Sequence, residues 1–222
     1  MEREIRPLIR GWKSREITYE GRHYRVFEGE NAAVICGGIG AEAARRATEA
    51  IIEEVHPVRV LSVGFAGGLD SKLRVGDVFW PRVVVNAADG SRTDTGCGGG
   101  TLVTFGMVAD REQKRRLAES YGAAAVDMEA AAVARGAEIR GVQFDAVKVI
   151  SDDVDFALPA TERFVAGDGR FRTAAFAVYV AVRPWLWRST VVLARNSIKG
   201  GLALSGSIAN YLKAECGGLA NV

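Results

Sequence analysis

The sequence predicts an α/β domain with a central mixed, twisted β-sheet flanked by helices in three layers. Two observations carry this. Short apolar runs of strand length, such as residues 58–64 (VRVLSVG) and 142–150, alternate with longer Ala-rich segments of helical character, such as residues 41–55. Glycine-rich turns follow several of the apolar runs, as strand-to-helix junctions require. The chain of 222 residues is long enough for one such domain, expected over 1–222, and its 48% hydrophobic content is ordinary for a packed core.

The elements follow in order. Residues 2–12 read as a charged amphipathic helical start, with Pro7 best placed in a first turn. Residues 16–28 alternate apolar and polar around Glu20-Gly21, a hairpin signal. Residues 32–36 form a short buried strand before Gly37-Gly38. The helix over 41–55 ends at His56-Pro57, because the residue before a proline disfavours helix. A second buried strand over 58–64 runs into Phe65-Ala66-Gly67-Gly68, and a third strand region spans 75–85. Residues 86–100 are a polar loop without periodicity, and 101–108 return to strand. Asp110 caps a helix over 111–120. A short strand over 123–126, an Ala-rich helix from 129 to 136 and a central strand over 142–150 follow. Two helices close the chain, 172–195, broken near Pro184, and 197–214.

Composition excludes several function classes. Lys and Arg number 29 against 27 Asp and Glu, too balanced for a nucleic-acid binder. Cys36, Cys97 and Cys216 are far apart and odd in number, and the only histidines are His23 and His56, so neither a zinc site nor a disulfide framework is expected. No signal peptide opens the chain, and its longest apolar run, 174–182, is about half a membrane span. A cytoplasmic protein with reduced thiols is expected.

Four segments could carry chemistry. Gly38-Ile39-Gly40-Ala41-Glu42-Ala43 matches a dinucleotide fingerprint, but the next strand lacks the acid that would hold ribose. Close helix–strand packing and a turn lining a small-molecule pocket are the alternatives. Gly64, Phe65, Ala66 and Gly67 form a strand-end turn that is either a tight turn or a close approach to a ligand. Val126-Asp127-Met128-Glu129 places carboxylates at a strand-to-helix junction, where one can accept two hydrogen bonds from vicinal hydroxyls or simply favour a helix start. Ser151-Asp152-Asp153-Val154-Asp155 ends the strongest strand, where ligands of α/β sheets bind. Three acids so close should repel and raise at least one pKa, suiting a general acid, unless they form a solvated loop or bind a cation.

In their order and spacing the four segments resemble the nucleoside phosphorylase/nucleosidase family, which includes purine and uridine phosphorylases and methylthioadenosine nucleosidases. The matching residues are Gly38-Ile39-Gly40, the turn from Gly64 with Val75-Gly76-Asp77, then Val126 to Glu129 with Ala130-Ala131, and Ile150-Ser151-Asp152. The resemblance implies cleavage of the N-glycosidic bond of a purine nucleoside. It implies that Asp152 donates a proton to the base, with Ser151 beside it, and that Glu129 binds the ribose hydroxyls while Met128 packs on the sugar. It implies Glu4 as the base that activates water, with Arg3 as a phosphate ligand if the reaction were phosphorolytic. Phe105, Met107 and Val108 fall where the family stacks the purine. No metal or organic cofactor is implied, and a homo-oligomer is. Ser62 and Phe65 stand where phosphorylases of the family clamp phosphate, which favours hydrolysis over a phosphate-dependent reaction. Family members begin with a strand before the Met-Glu loop, so here the N-terminal strand is expected to be missing and Glu4 loosely anchored. The segment 164–187 resembles the hopanoid-associated subfamily, which implies an adenosine with a large 5′ lipid, adenosylhopane, and lipid or peripheral membrane contact through Phe171, Phe176, Tyr179, Trp185 and Trp187, if these are not simply core. A non-catalytic nucleoside- or lipid-binding protein and a dinucleotide enzyme are the readings from other classes.

Overall fold

In a computed structural model, residues 2–156, 164, 166, 169, 171–181 and 183–219 are described. Helix α1 (Glu2–Ile9) precedes an antiparallel hairpin of β1 (Lys13–Tyr19) and β2 (Arg22–Glu28), which β3 (Ala33–Ile35) joins to make a three-stranded sheet. The hairpin turns at Glu20-Gly21, both with positive φ (47° and 72°), the conformation a two-residue turn needs to match strand twist. Helix α2 (Ala41–Val55) follows with the expected limits and closes at His56 in the left-handed region.

A second, seven-stranded mixed sheet holds β4 (Arg59–Gly68), β5 (Val78–Phe79), β6 (Val83–Asn86), β7 (Arg92–Asp94), β8 (Thr101–Thr104), β9 (Ala125–Asp127) and β10 (Gln143–Asp152), in the order β5-β10-β4-β9-β8-β6-β7. The long parallel pair β4 and β10 forms its spine, and β6, β8 and β9 are parallel to one another. Helices α3 (Arg111–Tyr121) and α4 (Ala130–Ile139) are inserted between strands, and α5 (Thr173–Ala181) and α6 (Trp187–Leu219) end the chain.

Packing gives three layers. Ala-rich faces of α2 and α4 cover one side of the spine, with Ala47, Ala50, Ala130, Ala134 and Ala137 against Val60, Ala146 and Ile150. Small side chains allow the helices to approach closely and still exclude water. On the other side, Ile5 and Ile9 of α1 and Leu204 and Ile208 of α6 bury Val147 and Val149. A third cluster joins α3 to Val85, Val103 and Val126. Capping by Asp110 is as expected: its side chain accepts from Gln113 N at 2.8 Å, and the Gln113 side chain accepts from Asp110 N.

Several sequence expectations are corrected. Pro7 lies past the first turn of α1, inside the helix, and the helix holds there through the burial of Ile5 and Ile9. The 75–85 region divides into β5 and β6, and β8 ends at Thr104. The loop over 86–100 contains β7, paired antiparallel to β6 through a turn at Asp89-Gly90, where Asp89 Oδ1 accepts from Ser91 N at 2.9 Å. The last helix does not break near residue 196. Asn196 instead sends its amide to Ser151 O at 3.1 Å, so its side chain is used across the fold and not against its own helix.

The strand over 32–36 is half-buried, not buried, for a topological reason. β3 pairs only with β2, and β4 meets β9 only at Gly67 and Gly68. The remaining edges of β3 and β4 line one cavity of about 830 Å³. Among the described residues no strand lies between these two edges. Cys36 and Cys97 are free thiols, and burial pushes the Cys36 thiol up. Among the described residues no helix is long and apolar enough to cross a membrane.

Candidate active site

The carboxyl ends of β4, β9 and β10, together with α1 and the start of α4, surround a cavity of about 230 Å³. It is lined by Glu4, Gly38, Gly64, Phe65, Ala66, Gly67, Met107, Val108, Met128, Glu129, Ser151 and Asp152 among others. The fold thus gathers twelve residues named from the sequence, including every expected ribose- and base-contacting residue but one. Phe105 is the exception: its N–H donates to Asp127 O at 2.8 Å, and its ring packs with the cluster of Val85, Val103 and Leu117.

Asp152 is placed by an irregularity of its strand. In the β4–β10 register Ala66 faces Ile150 and Gly67 faces Asp152, so Ser151 is an extra residue. Such a bulge re-aims the side chains that follow it. Ser151 Oγ donates to Asp152 Oδ1 at 2.6 Å, and Asp152 Oδ2 accepts from Lys114 Nζ at 2.5 Å. Lys114 also donates to Asp153 O at 2.6 Å. Both side chains of the pair are buried, at 1% and 3% exposure. The repulsion expected among Asp152, Asp153 and Asp155 is relieved differently: Asp152 turns inward onto a cation, while Asp153 and Asp155 are exposed. Gly67 makes this possible. A Cβ there would sit 3.1 Å from Asp152 Oδ2 and 3.3 Å from Lys114 Cε.

Glu129 is the N-cap residue of α4 and faces the cavity. Its Oε1 accepts from Gly40 N at 2.9 Å. Gly40, at φ 95°, therefore gives its amide to a carboxylate, which is the use of the Gly38–Gly40 turn in this fold. Burial raises the Glu129 pKa above 4.5, the neighbouring Asp127 raises it further, and Lys148 opposes both. Asp127 also borders the cavity, but its carboxylate is taken up by protein groups. Its Oδ1 accepts from Thr104 Oγ1 at 2.6 Å, and its Oδ2 accepts from Ala130 N at 2.8 Å and pairs with Lys148 Nζ at 2.9 Å. Lys148 in turn donates to Ser62 Oγ at 3.1 Å. Ser62 is thereby buried under the site.

Glu4 reaches the cavity from the first turn of α1. A Cβ on Gly64 would lie 3.7 Å from Glu4 Oε2, so this carboxylate stands over the β4 backbone. Its anchor is better than expected, because the neighbouring Ile5 is buried against α6, and Gly201 of α6 lets the Glu4 carbonyl approach closely. The Arg3 side chain lies outside the described residues. Along β4, Glu4 lies against Gly64 and Asp152 against Gly67. The two carboxylates therefore stand at separate points of one cavity.

Sequence reading missed Lys114 and Lys148. Both had a signal. Lys114 occupies the first position of the stripe Lys114, Leu117, Ala118 and Tyr121, the inward face of α3. Lys148 interrupts the apolar run of β10 between Val147 and Val149. A lysine at a core position is rare unless paired.

Residues 2–104 and 97–182 match the Phosphorylase superfamily. The chain belongs to that superfamily. A stretch of 90 residues is 35% identical to 5′-methylthioadenosine/S-adenosylhomocysteine nucleosidase of Marinomonas sp. (strain MWYL1), over 39% of this chain and 38% of that protein. The match thus spans well under half of the relative's length. Solved superfamily-like structures cover nearly the whole chain. The 5′-methylthioadenosine nucleosidase of Arabidopsis thaliana aligns with a TM-score of 0.72 at 20% identity, over 96% of this chain and 91% of that one. The methylthioadenosine/S-adenosylhomocysteine nucleosidase of Neisseria meningitidis, in complex with methylthio-immucillin-A, also gives 0.72, at 21% identity and 96% coverage of both chains. Futalosine hydrolase of Helicobacter pylori gives 0.66 at 19% identity, over 95% and 94%. At such identities the likeness establishes a shared fold, a mixed sheet flanked by helices. The site's chemistry must be argued from its residues.

Proposed function

We propose that this superfamily member hydrolyses the N-glycosidic bond of a purine nucleoside, an adenosine with a 5′ substituent, and releases adenine. The observation that carries the hydrolytic reading is the charge of the cavity. Glu4, Asp127, Glu129 and Asp152 line it, and Lys114, the sole cation among its described lining residues, is already paired with Asp152. Among the described residues, inorganic phosphate would meet carboxylates and no unpaired cation. Ser62, where phosphorylases were expected to bind phosphate, is occupied by Lys148, and Phe65 offers no donor side chain.

The reaction needs three groups. Glu129 accepts hydrogen bonds from the 2′- and 3′-hydroxyls, with Met128 against the sugar. The Lys114–Asp152 pair delivers a proton to the purine, so that the base leaves neutral as the C1′–N bond breaks. Glu4 accepts a proton from the water whose oxygen bonds to C1′. Acid assistance of this kind contributes ~10²–10⁴ in rate. Met107, Val108 and Phe65 supply the apolar surface for the base.

The cavity, at about 230 Å³, is smaller than the ~300–1,000 Å³ of ordinary ligand pockets, which suits a nucleoside core whose 5′ arm projects outward. We assign a large apolar arm of the adenosylhopane type, on the strength of the aromatic segment that includes Phe171, Phe176, Tyr179, Trp185 and Trp187. The working unit in this reading is a homo-oligomer in the cytoplasm. The test is adenine release from a panel of 5′-substituted adenosines with and without phosphate. Release without phosphate, fastest with bulky apolar 5′ groups, is expected. Strict phosphate dependence would overturn the hydrolytic reading, and no release from any member would leave a binding protein.

A further inference from the structure

Helix α5 has the sequence TAAFAVYVA and buries none of its residues. A helix apolar on every side is normally enclosed by protein or lipid. The helix is followed by a turn that presents Trp185, 73% exposed, and Trp187, 52% exposed. The outer face of α6 then continues the apolar surface with Val191, Ile198 and Leu202, spaced as one helical stripe after Trp187. From Arg172 to Lys199 the exposed charged side chains all have one sign. Arg172, Arg188, Arg195 and Lys199 are exposed, Arg183 stacks on Tyr179 at 3.8 Å, and the sequence has no Asp or Glu between Asp168 and Glu215.

We propose that α5, the Trp185–Trp187 turn and the outer stripe of α6 dock on an anionic lipid surface. Tryptophan and arginine beside an apolar helix are the composition of segments that lie in the headgroup region. A second copy of the chain is a poorer occupant, because a two-fold contact would bring the same arginines face to face with no acid to offset them. Nucleic acid would satisfy the cations but leave the apolar helix uncovered. The surface also adjoins the cavity: Asn196 of α6 holds Ser151 O, and Gly200 packs on Phe65. Docking would therefore hold the cavity mouth close to lipid, where an adenosine with an apolar 5′ arm would partition. That last link rests on the proposed reaction, whereas the docking does not.

Co-sedimentation of the full chain with phosphatidylglycerol–phosphatidylcholine vesicles, against phosphatidylcholine alone, tests the proposal. Selective binding to the anionic vesicles is expected, with a blue shift of tryptophan emission and release at about 1 M salt, where the Debye length falls to ~3 Å. At about fivefold per lost cation, R188E/R195E should lower vesicle partitioning by roughly 25-fold or more. W185S/W187S should abolish the blue shift. Both variants should keep the parent's thermal midpoint, and R188E/R195E should also keep its rate on soluble 5′-methylthioadenosine, which separates lost docking from lost folding. Absence of binding, equal binding to both vesicles, or binding indifferent to all four substitutions would overturn the proposal. So would concentration-dependent self-association that W185S/W187S abolishes, or RNA binding without vesicle binding. Adenine release failing while vesicles still bind would count against the reaction alone.

Discussion

Two buried lysine–aspartate pairs stand side by side in this fold, and they differ in what else their members touch. Lys148 and Asp127 are enclosed: Asp127 also accepts from Thr104 and caps Ala130, and Lys148 also holds Ser62. That pair ties β4, β8, β9, β10 and α4 together. Lys114 and Asp152 are equally buried, yet their other partners are Ser151 and a backbone carbonyl, and both line the cavity, whereas of the other pair only Asp127 borders it, with its carboxylate taken up by protein donors. The same charges thus serve two ends. Where every acceptor is used by protein, the pair fixes geometry. Where both members border a cavity and fewer protein groups hold the carboxylate, the pair is the one proposed to give a proton to the base.

The sharpest way to break the contrast is to neutralise one aspartate of each pair. Asp152→Asn is expected to lower the rate of adenine release by ~10²–10⁴, about 3–5 kcal/mol in barrier. Asp127→Asn should act on stability, because it leaves the buried Lys148 charge uncompensated, at a cost of about 3–5 kcal/mol; Asp152→Asn unpairs the equally buried Lys114 and should carry a similar loss of stability beside its loss of rate. Single-turnover rates and denaturant midpoints of both variants read the two effects. If Asp127→Asn abolished turnover at unchanged midpoint, the roles assigned to the pairs would be reversed. Gly67→Ala probes the cavity-side pair without touching its charges. Its methyl group would press on Asp152 and Lys114, and a displacement of order 1 Å is expected to cost roughly 10- to 100-fold in kcat with little change in KM.

The difference between the pairs also explains what was legible in the sequence. Glycine spacing and the Met128-Glu129 and Ser151-Asp152 junctions are local signals, and the structure brings them into one cavity. Helix α2 and the cap at Asp110 were equally local, so their limits were readable. Lys114 and Lys148 acquire their meaning only from partners 38 residues away in one case, on another strand in the other. Their misfit with the apolar pattern was visible, but not which acid would answer it. Phe105 shows the converse. Its neighbours Met107 and Val108 enter the cavity, while Phe105 is drawn into the α3 cluster by the hydrogen bond that fixes its backbone to β9. The division into two sheets likewise depends on which edges meet, and short strands such as β3 carry little information about that.

The smallest effect links the two pairs through Glu129. Burial and the charge of Asp127 raise its pKa, against the pull of Lys148. A glutamate whose pKa rises on folding favours the native state while protonated, so that contribution to stability is lost as pH climbs through the raised value. Binding runs the other way. Only the carboxylate offers two acceptor oxygens to the ribose hydroxyls, so KM should rise, by about tenfold, as pH falls through the raised pKa. The inflection should lie above the ordinary glutamate value of 4.5. In Asp127→Asn one cause of the shift is gone while Lys148 stays, so the inflection should move to lower pH. An inflection that stayed in place would mean that burial alone sets it, and that the enclosed pair supports the site through its geometry without tuning its charge.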